Sequence, residues 1–444
     1  MKAREIFLVL LIIGAGIFIY YAETGKLDIQ WIQWGGEDFF LFGKYEEFVF
    51  EESQDIAGPL PRELQVINAH GSVEIQGSPT DKITIAFKKT IFRKNAEEAR
   101  QVANRLKMIV DRKKPGMILS TNRDDFKRKN FETHFKISVP SGTEVLIKNS
   151  YGLVKAAKTG KTDIANPHGE VQAADIGGKL TVNNSYEDVN ILGVLADCDI
   201  TSRHSKITAA GIREDLRLDQ SYGEVELQDI GKKVIVKGSH SQVTAKNLRG
   251  AVEIESSYEK IALTDAGPAT IRGHHCDIEA RGISGPLEIT NNYAPVRLDG
   301  IKGNLSVKGT NMEIQAESVL ADEIFISTSY QNVELHGFTG KTTVRLSHGD
   351  LTLEPEAVTG PIEVYGSYAG VRFLWPAGGR FPFDALTKYG DIHWNLAEKP
   401  SLEEHNGQSV TKAFLDAIGK PLIKISTSHG DISVEERTRA PKTI

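Results

Sequence analysis

The chain has two cysteines in 444 residues, four methionines, sixteen prolines and no basic run longer than a few positions. A net charge of -6 without a basic block argues against nucleic acid as the principal partner. No phosphate-binding loop and no HExxH stretch is present, so neither nucleotide-loop nor zinc-protease chemistry has a motif to stand on. What remains is 40% hydrophobic and 25% charged, with 41 glycines, a composition that suits a large core and many tight turns between short strands.

Charge is also missing from Ile6 to Ala22, behind Lys2 and Arg4. As a helix that stretch reaches about 25 Å, the short end of a bilayer span, with the basic front end cytoplasmic. Tyr20 and Tyr21 beside Ala22 offer no small-residue cleavage site, so an uncleaved anchor is expected rather than a removed signal peptide. The expected organisation is a cytoplasmic end (1–5), a transmembrane helix (6–22) and an aromatic-rich juxtamembrane segment (23–60). In the last of these, Trp31, Trp34 and Phe39 would rest at the lipid interface or the segment would supply a strand of the next domain.

Beyond it the chain carries a ruler. Tyr151, Tyr186, Tyr222, Tyr258, Tyr293, Tyr330 and Tyr368 recur at intervals of 35 to 38 residues. Midway between them fall His168, His204, His240, His275, Asn311 and His348, while His70 and His429 carry the same local motif off the ruler. The third and fifth positions after each mark are apolar, as in Val225 and Leu227 or Val243 and Ala245. So are the sixth and fourth before it, as in Val234 and Val236. That is strand alternation on both sides of each mark, with a Gly-containing turn between units. A unit so short folds only when stacked, so the expected fold is all-β, a parallel β-helix (β-solenoid) of ~18-residue units over 141–372. Some 13 units would rise about 60 Å. The fifth position is large after Tyr (Ile191, Leu227, Leu263) and Ala after His (Ala173, Ala209, Ala245). Either large and small alternate up one column of 18-residue coils, the version preferred, or each coil has 36 residues and two separate walls.

Flanking segments would cover the rod's ends. Residues 61–140 read as an N-terminal cap with strands at Glu63–Ile67, Ser72–Gln76 and Lys82–Phe87. A helix follows from Asn95 to Val110, with Asn95 as N-cap and Ala99, Val102, Leu106 and Ile109 on one face. Residues 373–444 read as a closing segment with a helix near Ser409–Ile418 and a last unit, Ile423–Val434.

Two stretches carry a family resemblance: Ile137-Ser138-Val139-Pro140-Ser141-Gly142 leading to Asn149-Ser150-Tyr151-Gly152, and Ile425-Ser426-Thr427-Ser428-His429-Gly430-Asp431-Ile432. In these the chain resembles the bacterial Toastrack family, also described as adhesins. The resemblance implies a right-handed, extracytoplasmic β-helix, held here on the cytoplasmic membrane with its bulk periplasmic or extracellular. It implies roles in adhesion or envelope-stress assemblies, and no catalytic residues to carry over. Tyr or His stands where the family pattern often has Asn, which leaves the ligand open.

The ladder residues Tyr151, Tyr186, Tyr222, Tyr258, Tyr293, Tyr330, Tyr368, His168, His204, His240, His275 and His348 are the candidate binding surface. One reading is geometric, with rings stacking from coil to coil over tight corners. The other is a contact strip for an envelope protein or a surface glycan. Histidines two 18-residue rungs apart lie about 9.6 Å from each other, too far to share a zinc ion; only His274-His275 or a 36-residue coil would bring them closer. Neither a metal nor another cofactor is therefore expected. The histidines would make association sensitive to pH between about 5 and 7. Cys198 aligns with inward positions and Cys276 with a turn, so a buried thiol and an exposed one are expected, not a disulfide. A repeated motif brings no unlike acid and base together, so a binding or scaffold protein is expected. A stress-signalling scaffold and a polysaccharide-processing enzyme are the alternatives.

Overall fold

The computed structural model describes residues 45–113, 116–405 and 408–437. The expected anchor at 6–22 and Trp31, Trp34 and Phe39 lie outside them. Among the described residues no helix is long and apolar enough to cross a membrane.

The main body is a parallel β-solenoid of about 13 turns. Val225 pairs with Val243 and Val243 with Ile261, and Leu216 pairs with Val234 and Val234 with Val252, so one coil is 18 residues. The 36-residue coil is excluded. In the fifth-position column Ala173, Ile191, Ala209, Leu227, Ala245, Leu263, Ala280 and Leu298 follow one another in register, all at most 3% exposed. Rungs about 4.8 Å apart leave no room for a broad side chain on every level, and alternation with Ala fills the column at constant density. Each coil adds inward residues of the kind seen at Leu216, Leu218, Val225, Leu227 and Ile230. Each such side chain contributes about 1.5–3 kcal/mol of burial that an isolated coil could not provide.

One corner of the coil is a left-handed turn at Lys158, Asp175, Gly193, Gly211, Asp229, Asn247, Asp265, Gly282, Gly300, Ser318 and Gly337, with φ between 52° and 78°. The left-handed residue turns the next side chain inward, and Ile176, Val194, Ile212, Ile230 and Leu248 are accordingly buried.

At both ends stacking order departs from sequence order. Glu63–Ile67 lies between Glu144–Lys148 and Gly116–Thr121, and Val73–Ser78 lies between Val154–Ala157 and Phe131–Pro140. The far end repeats the device: Ile423–Thr427 sits between Ile362–Trp375 and Phe383–Lys388, and Ile432–Glu436 between Ile362–Trp375 and Ile392–Asn395. The expected closing unit, Ile423–Val434, is therefore not outermost. The coil containing 383–395 covers it.

Strand Glu46–Ile56 pairs antiparallel with Ile83–Arg93, which pairs antiparallel with Phe131–Pro140, so this part of 23–60 belongs to the cap. The helix spans Ala96–Arg105, with Asn95 Oδ1 accepting the Glu98 N–H at 2.9 Å as expected. It stops short of Val110 because Asn122 caps it from afar: its Nδ2 donates to the Arg105 carbonyl at 3.1 Å and its Oδ1 accepts the Lys107 N–H at 2.7 Å. Ile109 falls instead in strand Met108–Lys113. The helix expected near Ser409–Ile418 is strand Gln408–Ala413, antiparallel to Phe383–Lys388. There Thr411 and Ala413 face inward at a period of two, whereas Ile418 is 95% exposed.

Candidate functional site

The second corner carries the ruler. Its left-handed residue is the ring-bearing one itself at His204, Tyr222, His240, Tyr258, His275, Tyr293, Tyr330 and Tyr389, with φ from 50° to 68°. After His70, Tyr151 and His348 the following glycine takes the positive φ. Each ring points outward and lies over the ring of the next rung.

From His70 the stack runs through Tyr151, His168, Tyr186, His204, Tyr222, His240, Tyr258 and His275 to Tyr293. Centroid separations are 4.6 to 5.7 Å and interplanar angles at most 19°. Asn311 interrupts it. The stack resumes with Tyr330, His348, Tyr368 and His429, and Tyr389 closes it against His429 at 4.9 Å. All twelve expected ladder residues thus lie on one edge. His70, His429 and Tyr389 join them because the inserted end coils place them in the stack.

Alternation of Tyr and His is a rule of space rather than of sequence. Tyr368 and Tyr389 follow each other along the chain, yet His429 lies between them. That succession of two tyrosines was the sequence signal for a histidine arriving from elsewhere.

Beneath the rings runs a polar column inside the coil. Asn149, Asn166, Asn184, Gln220 and Asn291 are buried two residues before their marks. Asn184 Nδ2 donates to the carbonyls of Asn166 and Gly169, both at 2.8 Å, and Asn291 Nδ2 to those of Cys276 (2.8 Å) and Ala294 (3.1 Å). Corner carbonyls facing the interior would otherwise lack donors, a penalty of about 1–3 kcal/mol each.

Cys276, expected on the surface, is fully buried, because the residue after a left-handed histidine turns inward as Ser205 and Ser241 do. Its Sγ donates to the Ser256 carbonyl at 3.3 Å. Burial raises its pKa and pushes that of Cys198 up to about 12; both thiols are free. Within the stack each histidine faces tyrosines, not another histidine. The exception is His274, whose Nδ1 lies 2.5 Å from that of His275. Among the described residues no group of three potential metal ligands occurs.

A groove of about 500 Å³ in the cap is lined by Glu51, Glu52, Ser72, Lys88, His134 and Lys136, among others. Ser72 Oγ lies 3.1 Å from His134 Nδ1, and His134 Nε2 lies 3.3 Å from Glu132. The Ser72 N–H also donates to that Nδ1 at 3.1 Å, so the lone pair a general base needs is held by main chain. The bond from His134 holds Glu132 below the usual carboxylate range. These residues fasten a strand start to the cap.

The chain matches the sequence model of the Toastrack DUF4097 family over residues 62–435, from the first coil through the inserted last one. Among solved structures, a "putative cell adhesion protein" from Clostridium sporogenes matches 88% of this chain and 100% of its own at 7% identity, with a TM-score of 0.16. Likeness at that level says nothing about what this chain binds. No curated protein matches. A family match over most of the chain, on a solenoid whose repeat and closures span the same residues, establishes that the chain belongs to the Toastrack DUF4097 family.

Proposed function

We propose that the protein is an adhesin-like binding or scaffold rod, anchored through residues 6–22 on the outer side of a bacterial cytoplasmic membrane, with the ring-bearing corner as its contact strip. One observation carries this reading: the rings are stacked yet remain open to solvent. The eight ladder tyrosines are 45–62% exposed. A row of ordered aromatic side chains offers contact area without the entropy loss of fixing flexible ones. The strip repeats one chemistry along its length, which suits an extended partner, an envelope protein or a surface glycan, better than turnover of a small substrate.

The test is the full chain with Tyr186, Tyr222 and Tyr258 all changed to Asn. Asn already occupies a ladder rung at Asn311 with φ of 51°, so the coil should still form. Expected is an unchanged β-sheet circular dichroism spectrum with loss of retention on purified envelope polysaccharide or of a co-purifying membrane protein. Unchanged retention of both would refute the contact strip.

A further inference from the structure

Among the described residues the ladder lacks a ring at one rung, Asn311. Tyr293, Asn311 and Tyr330 stand on consecutive rungs: the Tyr293 N–H donates to Thr310, the Asn311 N–H to Ser329, and all three residues take φ between 51° and 65°. Tyr293 stacks on His275 at 4.8 Å and Tyr330 on His348 at 4.5 Å, each using its far face. Their near faces look toward Asn311 across two rungs, about 9.6 Å. An Asn side chain ends roughly where a tyrosine ring begins, so the outer halves of both rings are left bare.

We infer that the gap at Asn311 receives one flat ring, an aromatic or neutral imidazole side chain of a polypeptide partner, and thereby fixes that partner's position along the rod. This rests on the contact-strip reading and narrows it. Ring centroids elsewhere in the ladder sit 4.5–5.7 Å apart, so a gap of two steps takes a single ring with a face on each tyrosine. Elsewhere the same gap between tyrosines holds a histidine, as His240 between Tyr222 and Tyr258. The shoulders Asn292, Ala294, Thr310, Ser329 and Gln331 carry no charge, which favours a neutral ring. The Asn311 amide forms a floor able to donate to or accept from the ring's edge. Register is the further reason. A Tyr-His strip repeats every two rungs, so a partner displaced by about 9.6 Å would meet the same surface. One vacancy removes that degeneracy.

The probe is the peptide acetyl-Gly-Ser-Trp-Ser-Gly-amide, titrated into the full chain in detergent and followed by the ring-current shift of its indole protons. Its Trp→Ala counterpart and chitohexaose serve as controls. Expected is saturable binding of the Trp peptide, weakened roughly five- to a hundredfold by Asn311→His, which supplies the missing ring. Histidine already adopts this turn at His240, so the variant should fold. His240→Asn should open a second gap and double the stoichiometry. Equal binding to wild type and Asn311→His overturns the inference, as does chitohexaose displacing the peptide. If Asn311→His changes nothing while the triple Tyr→Asn variant loses envelope retention, the gap fails and the strip stands. If the triple variant retains envelope material while Asn311→His loses the peptide, the strip fails and the gap stands.

Discussion

Most coils turn twice through left-handed backbone, and the two corners solve one problem with different residues. At one, Asp175, Asp229, Asn247, Asp265 and several glycines take φ of 52–78°; at the other, histidines and tyrosines take 50–68°. Asp, Asn and Gly are the residues that reach this region most readily, and a tyrosine there strains its backbone by about 1–2 kcal/mol. Each interior ring shares two stacks with its neighbours, in effect one stack per ring, contributing about 0.5–1.5 kcal/mol. The two terms nearly cancel. Fold stability alone thus gives no reason to prefer rings at the second corner, and Asn311 shows that the turn forms without one. The first corner serves as an internal control for the second.

That comparison can be broken in graded ways. The largest effect belongs to the core beside the plain corner: Ile230→Ala should lower stability by about 2–5 kcal/mol in chemical denaturation. Beneath the ring corner, Asn184→Ala strips the Asn166 and Gly169 carbonyls of their donor and should remove about 1–3 kcal/mol. Tyr222→Asn removes two stacks, about 1–3 kcal/mol, and relieves about 1–2 kcal/mol of backbone strain, so it should shift stability by no more than about 2 kcal/mol. A loss as large as that of Ile230→Ala would mean the rings are structural after all.

The smallest effect is at Asp229, whose carboxyl is held below its usual pKa by bonds from Asn247 and then Gln228. A carboxylate with a lowered folded-state pKa stabilises above the unfolded value, and that contribution fades as pH falls through the folded one. Wild type should therefore lose slightly more melting temperature than Asp229→Asn below about pH 4. Parallel curves would assign the turn to backbone alone.

The rod was legible because stacking demands the same residue type at the same place in each unit, as at Val225, Val243 and Ile261. The coil length was harder to read, since the Leu/Ala column has a chemical period of 36 on a geometric period of 18. Contacts made across long stretches of chain left no local mark: Asn122 ends a helix that periodicity would continue, and the segment near Ser409–Ile418 begins as a strand because it pairs with Phe383–Lys388. Cys276 was misplaced for lack of the torsion at His275, which decides where the next side chain points. On the contact edge the residues were readable, but the vertical order that slips His429 between two tyrosines was not.

Alternation also sets how such a rod can change length. Inserting or deleting 36 residues in the middle of the array would alter its height by about 9.6 Å while leaving both interleaved ends untouched. A change of 18 would set tyrosine on tyrosine outside and leucine on leucine within. Growth is therefore quantised in pairs of coils and confined to the interior, much as a ladder is extended by splicing its rails rather than adding rungs beyond its feet.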